Sequence, residues 1–552
     1  MIKRVLCLLL FAVPALAQTH TLAATDTTGI SMSSNTFSDN GNTLVVDGTK
    51  YATIPAAVTD CLAIPNCSFI DATPRPDLLN ASGTPSFTLG AINHPMTLKL
   101  PPGQLTVNGT ILIQTGSGIV CSSPLAGEHG TSFPYGCMIK ENNNQNLSSI
   151  VQIIGAYATL RDIVVDGNFA NNPTSGVCVW INKAPTNDIQ NVNAQNCGTH
   201  GWMITSTLRG NESGAQSLRK IAGNQSNADG IYIQNTCDVF VGEGSQFESN
   251  GFVGTVNTDG TAVTWVSGNK WSTDRSLIGT RVRINRVLYT IAAVPSTRTL
   301  TLTATAGVQN GVALNWGNGA ELNNACATRF EHMDFGGNWM DGLLIYGTLT
   351  GRQASFNMVG GSSEFGNNFQ SDIEIYGFDP VGAANVGFSN IIVGNVFSVS
   401  SNRTPDNTWP AIFIQDGAWD VIGPNTYYGS PAPNRVKYWV QLNETAAGRA
   451  LPHFIAGSFP GNARYGTAAY FDGNQNKSQL YSSNPNGLDA VITKLALTPI
   501  AVASLPAAAA GNAGQMRTVN DSTAVAAEGQ TCVGGSTNTA LAFSNGTVWK
   551  CF

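Results

Sequence analysis

Acidic and imidazole side chains placed next to glycine recur along this chain at Asp229-Gly230, Asp341-Gly342 and His200-Gly201, with Ser175, Asn250 and Ser371 in the same place elsewhere. Each is followed within two residues by an apolar, variable, apolar triplet, so the reading puts them in one column, one per turn of a repeated coil. Successive strands lie about 4.8 Å apart, which makes His200 and Asp229 neighbours and sets Asp341 two strands from Asp229, a carboxylate separation suited to an inverting glycosidase. The plainer alternative is an Asp-Gly corner that accepts backbone hydrogen bonds, with His200 as a corner or stacking residue.

A second constellation is Asp372 with Glu374, two apart on one strand and followed by Tyr376 on the same side, with Arg352 and Glu364 on the preceding coil. Acids beside an arginine suit hydrolysis or elimination in a groove, the arginine pairing a substrate carboxylate. Solvated face charges are the bland reading. Tyr232, Phe413, Trp409 and Trp419 are candidate sugar platforms, or else coil-stacking aromatics inside the fold. Calcium is the one ion that the Asp/Glu clusters leave open, although no D-x-D-x-D loop occurs, and no other cofactor is expected.

The elements that must position these groups repeat from about residue 148 to 465. Polar Asn/Gly corners lead into short strands such as Gly201-Trp202-Met203-Ile204, Gly230-Ile231-Tyr232-Ile233, Gly251-Phe252-Val253 and Gly342-Leu343-Leu344-Ile345, at steps of about 21 to about 39 residues. Stacked Asn corners account for the abundance of Asn. A β-sandwich would need antiparallel hairpins, and few Asn-Gly or Asp-Gly hairpins occur over 148–254. Upstream, Ile54, Val58, Cys61 and Leu62 take helical spacing with Thr53 before Pro55 as the cap, a short helix able to cover the open end of a solenoid.

The step of 91 residues from Gly251 to Gly342 is too long for one coil. Alternating segments over 256–319 predict a small antiparallel β module inserted there. From about Leu497 the character changes again: 497–513 reads as a linker and 514–552 as a last β module with Asn545-Gly546 at a hairpin turn. The solenoid domain is taken as 52–496.

Lys3 and Arg4, the apolar run Val5 to Val13 and Ala15-Leu16-Ala17 predict a signal peptide over 1–17, followed by an extended lead-in over 18–51. The run is too short for a membrane span. Taking out Lys3 and Arg4 from 28 basic residues leaves 26 against 34 acidic ones, a net charge of −8, with no basic excess for nucleic acid. Charged residues are only 11% of the chain and Gly numbers 59, the composition of a turn-rich β protein. Of the 11 cysteines Cys7 falls in the signal, which leaves an even number bound for an oxidising space. Without C-x-x-C spacing they read as disulfides: Cys61 lies near Cys67, Cys121 near Cys137, Cys178 near Cys197 and Cys532 near Cys551, while Cys237 and Cys326 flank the insertion.

The leading helix, the Leu100-Pro101-Pro102-Gly103-Gln104 turn and the Asn/Gly coils resemble the pectate-lyase-like superfamily of right-handed parallel β-helices, which holds polysaccharide lyases, glycoside hydrolases and phage tailspikes. The resemblance covers about 52–465 and implies an all-β solenoid with an N-terminal capping helix, an inserted small β module and a small C-terminal β module. Asn227-Ala228-Asp229-Gly230 and Thr199-His200-Gly201 resemble the Asn-Thr-Asp and Gly-His-Gly motifs of polygalacturonases. Here the His comes first, Asn250-Gly251 stands where a double Asp is expected, and no Arg-Ile-Lys follows.

The resulting expectation is a secreted β-helix protein that engages a polysaccharide and cleaves it by hydrolysis or elimination. The catalytic candidates are Asp229, Asp341, His200, Asp372, Glu374 and Arg352, and the binding candidates are Tyr232, Trp409 and Tyr376. A non-catalytic adhesin or tail-fibre-like protein is the first alternative, and a purely structural solenoid the second. A homotrimer follows only by analogy with tailspikes. With few cations for a polyanion, neutral sugars are favoured over uronates.

Overall fold

The structure, a computed structural model, describes residues 43–46, 51–74, 83–123, 136–207, 213–347, 354–376, 389–398, 408–415, 420–428, 435–443, 453–456, 470–472, 479–481, 499–508, 515–523 and 530–551. The expected signal peptide, most of the lead-in, Arg352 and Trp419 lie outside them. Contacts divide the chain into two units, Met1–Tyr481 and Ser482–Phe552.

The first unit is a parallel β-helix. Its coils contribute to a 12-stranded sheet, here the face sheet, and to a 21-stranded sheet, here the wall sheet. Every pairing within both sheets is in parallel register; along the face sheet Trp202 pairs with Ile231, Ile231 with Ala320, Ala320 with Leu343 and Leu343 with Ile373. These side chains point inward and are fully buried. On the wall sheet Leu218, Val241, Phe330, Val359 and Ile392 form a comparable inward column. Phe335, Phe365, Phe397 and Tyr427 add an aromatic column with ring centroids 4.8, 5.2 and 5.3 Å apart.

Corners between the sheets are satisfied by side-chain ladders, as the Asn content predicts. Asn250 Nδ2 donates to Asn338 Oδ1 at 3.1 Å, Asn338 to Asn368 at 3.0 Å, and Asn368 to Asp372 Oδ1 at 2.9 Å. Where strands start, neighbouring coils touch so closely that a Cβ on Gly230 would lie 2.6 Å from the Gly319 carbonyl oxygen, hence the Gly at 201, 230, 319 and 342.

The open end is covered by the helix Ile54–Ala63, capped by Thr53, whose side chain accepts from the Ala56 N–H. It buries Ile54, Ala57, Val58 and Cys61, while Leu62, placed on the same face by its spacing, is 37% exposed.

The insertion is a closed six-stranded antiparallel barrel, with strands Phe252–Asp259, Ala262–Gly268, Arg281–Ile284, Val287–Ser296, Thr299–Leu302 and Gln309–Trp316. It has its own core around Val256, Trp271, Ile291 and Trp316. Its first strand is Gly251-Phe252-Val253, read from sequence as a coil. The coil resumes after the barrel, at Gly319 and the strand Ala320–Asn323.

The second unit holds a four-stranded sheet of Met516–Ser522, Gln530–Thr531, Asn538–Ser544 and Trp549–Cys551. Five disulfides join Cys61 to Cys67, Cys121 to Cys137, Cys178 to Cys197, Cys237 to Cys326 and Cys532 to Cys551. Among the described residues no helix is long and apolar enough to cross a membrane.

Candidate functional site

Backbone hydrogen bonds fix the order of the predicted column. Gly201 N–H donates to Asp229 O, Gly230 to Asn318 O, Gly319 to Asp341 O and Gly342 to Ser371 O. The column is therefore His200, Asp229, Asn318, Asp341, Ser371, and Asp341 does stand two coils from Asp229. Asn250 belongs instead to the corner ladder. Ser175 also drops out, because the Cys178 N–H reaches His200 O and puts Val177 in that place.

The column and the outward side chains beside it are covered by the barrel. His200 Nδ1 lies 3.1 Å from Asp229 Oδ2, and both side chains are fully buried. His200 Nε2 is 3.3 Å from the carbonyl oxygen of Ser276 on the barrel; a carbonyl only accepts, so that nitrogen carries a proton. Asp229 Oδ1 accepts from Asn318 N and Nδ2 at 2.8 and 3.0 Å. Tyr232 stacks on His200 with centroids 5.0 Å apart and is fully buried.

Next along the outward column stands Glu321, in register with Tyr232. Its Oε2 accepts from Asn318 Nδ2 at 3.0 Å, and its Oε1 accepts from the Arg281 N–H at 3.2 Å and contacts the Tyr346 hydroxyl. Burial, reinforced by the charge of Asp229, holds the Glu321 carboxyl well above its ordinary range. The Tyr346 hydroxyl stands within donating distance of two acceptors, Gly279 O at 3.0 Å and Glu321 Oε1.

Two coils on, Arg283 of the barrel places Nη2 2.6 Å from Glu374 Oε2 and 3.7 Å from Asp341 Oδ2, with its guanidinium 4.8 Å above the Trp409 ring. Burial and then Glu374 hold the Asp341 carboxyl well above its usual range. Burial alone would lower the Arg283 guanidinium, but Glu374, Tyr376 and Asp341 together raise it. Tyr376 is pushed up by burial and by Glu374. The structure thus gathers Asp341, Glu374, Tyr376 and Trp409 around an arginine from the barrel. Asp372 is not with them: it accepts from Asn368 at the end of the corner ladder, and burial pushes it up to about 7.

His200, Asp229, Tyr232, Glu321, Asp341 and Glu374 are fully buried, whereas Trp409 and Tyr376 keep part of their surface in solvent. Carboxyls that meet solvent lie on the wall sheet. Gln246 pairs in register with Asp334, Asp334 with Glu364, and Gly336 with Gly366. Glu248 hydrogen-bonds Asp334, and Glu364 is exposed. Burial, then this hydrogen bond, then the charges of Glu248 and Glu364 push Asp334 up to about 8. Gly336 lies beside both acids, where a Cβ would make ordinary van der Waals contact with Asp334 Oδ1 at 3.4 Å and Glu248 Cγ at 3.7 Å. Glu364, read from sequence as a neighbour of Arg352, Asp372 and Glu374, belongs to this wall cluster.

The cluster had a legible signal, since Asp334-Phe335-Gly336 recurs as Glu364-Phe365-Gly366. Glu321 and Asn318 become visible once Gly319-Ala320-Glu321-Leu322 is aligned as a coil. Arg281, Arg283 and Ser276 carry no local sequence mark. Among the described residues no three His, Cys, Asp or Glu side chains are placed to hold a metal ion together.

The register and closed coils define a parallel β-helix carrying an inserted barrel. Among solved structures the chain is similar to the A-module of the mannuronan C-5 epimerase AlgE6 of Azotobacter vinelandii, at 14% identity and TM-score 0.39 over 75% of this chain and 96% of that one. It is also similar to DFA-IIIase from Arthrobacter chlorophenolicus A6, at 10% identity and TM-score 0.41 over 78% and 98%. The tailspike protein 2 of Escherichia coli O157:H7 bacteriophage CAB120 gives 9% identity and TM-score 0.39 over 88% of this chain and 62% of that one. No family model matches the sequence, and no curated protein matches it.

Proposed function

We propose that the protein hydrolyses a neutral polysaccharide laid along the wall sheet, with Asp334 as general acid and Glu364 as its partner carboxylate. The observation that carries this is the Glu248, Asp334, Glu364 cluster, where a proton is kept on Asp334 at neutral pH beside an exposed acid. Register neighbours stand about 4.8 Å apart, near the roughly 5 Å carboxyl separation of retaining glycosidases. Glu364 is then the nucleophile, and Asp334 protonates the leaving oxygen. Glu248 acts through Asp334 as a positioning residue.

The flanking wall positions are Asn193, Gln195, Asn224 and Gln246, with Gly366 and Ser398 beyond. None is cationic, which suits a neutral chain held by amide hydrogen bonds, and the exposed arginines elsewhere on this sheet, Arg161, Arg219 and Arg329, are paired with Asp188, Glu243 and Glu331. The same amides favour the second reading, a surface protein that binds a glycan without cleaving it. Five disulfides suit an oxidising compartment, in keeping with secretion.

The test is incubation of the purified chain, with and without calcium, against plant and bacterial polysaccharides, reading new reducing ends and the ultraviolet absorbance of unsaturated sugars. Reducing ends without unsaturation support hydrolysis. Unsaturated product points to a lyase, and binding without product to an adhesin.

A further inference from the structure

The barrel meets the face sheet through an interface with too many acids for its cations. Four carboxyls, Asp229, Glu321, Asp341 and Glu374, face two guanidiniums and one imidazole, those of Arg281, Arg283 and His200. Even with His200 charged, closing this interface with every acid ionised would bury an uncompensated negative charge, which is costly in a dry site. The phenols Tyr232, Tyr346 and Tyr376 complete the ring of titratable groups, and burial and the acids push each of them up, so they stay neutral and add no further anion.

The barrel is also a closed body with a core of its own. Its core of Val256, Trp271, Ile291 and Trp316 is separate from the core of the β-helix. The chain enters and leaves it at one stem, where Gly251 and Gly317 take φ of 81° and 100° and pack so closely that a Cβ on Gly317 would lie 2.2 Å from Gly251 Cα. The stem requires glycine at both strand ends, for the left-handed backbone and for this close approach.

We propose that the inserted barrel is a hinged cap whose docking takes up protons: it closes on the face sheet while Asp341 and Glu321 are protonated and lifts as pH rises. Opening presents His200, Asp229, Glu321 and Glu374 to solvent. This concerns a face of the β-helix that the proposed hydrolysis does not use. The acids raised by burial are those at the two ends of the interface, with Glu374, Tyr376 and Arg283 around Asp341, and Asp229, Tyr232, Tyr346 and Arg281 around Glu321. Each group's folded range lies above its free one, so the docked state binds more protons and is weakened as pH rises.

Thr199 reports the cap directly, being fully buried with Oγ1 2.8 Å from Ser276 Oγ on the barrel. In the full chain carrying T199C, peptide-resolved alkylation by an uncharged reagent is followed across pH, each rate divided by that of the unfolded chain at the same pH. The corrected rate is expected to rise about tenfold per pH unit for each proton released, and E321Q or D341N to remove about one power of ten from that slope. A T199C/S276C disulfide holds the cap down and should abolish the rise in exposure of Arg281–Ile284, read by hydrogen exchange. A pH-independent corrected rate overturns the proposal, and so does a slope unchanged in both acid variants. If either variant fails to fold, the slope in the T199C background decides alone.

Discussion

Asp334 and Glu364 stand in register on adjacent strands of the wall sheet, the same triplet of acid, phenylalanine and glycine repeated one coil apart. The inward Phe335 and Phe365 stack at 4.8 Å and fix the coils, so the outward acids above them are held at the strand spacing. Packing inside the helix therefore sets the geometry of the chemistry outside it.

Replacing either acid removes function and leaves the fold. Asp334→Asn and Glu364→Gln are expected to lower the rate of reducing-end release by about 10²–10⁴-fold. Both variants are expected to stay folded, with Asp334→Asn no less stable than the parent at neutral pH, since burial holds the Asp334 carboxyl above its free value.

The alkaline limb of kcat/KM follows Asp334. With its carboxyl pushed up to about 8, activity is expected to fall as pH rises through that value. Glu248→Gln removes a charge that raises Asp334, so the limb moves to lower pH. A merely structural Glu248 would leave the limb where it is.

Breaking the barrel's docking costs stability. Arg283→Ala leaves the buried carboxyls of Asp341 and Glu374 without their guanidinium, and removing one partner of a buried pair costs roughly 3–5 kcal/mol. Calorimetry of the variant should show the loss, with reducing-end release per folded molecule retained.

Asp372 makes stability depend on pH. Its folded carboxyl sits at about 7 against a free value of 3.8, so the folded state binds more protons between these values. Its contribution is therefore lost as pH rises from about 4 to about 7 and is flat above. Three pH units amount to roughly 4 kcal/mol at most. Asp372→Asn keeps an acceptor for Asn368 and should flatten that slope in urea titrations.

Much of the fold is legible because its steric demands are local. A Cβ on Gly230 would meet a carbonyl at 2.6 Å, and the Asn250, Asn338, Asn368 ladder needs its amide at every coil, so both leave a mark in the sequence. The insertion boundary is not legible in this way: Gly251-Phe252-Val253 copies the coil pattern yet opens the barrel, and that slip put Asn250 where Asn318 stands. Solvent exposure is hidden as well. Alternation tells that Tyr232 and Glu374 point outward, but not that Ser276, Arg281 and Arg283 close over them from an insertion far along the chain. The Asp229 and Asp341 column lies buried beside the barrel, while among the wall acids Glu364 is exposed.

One comparison decides which acids do the work: reducing-end release from the same polysaccharide by Asp334→Asn and by Asp341→Asn, each confirmed folded by circular dichroism. Loss in the first with activity kept in the second is the predicted result. Activity kept in Asp334→Asn and lost in Asp341→Asn would contradict the wall site and return catalysis to the face beneath the barrel.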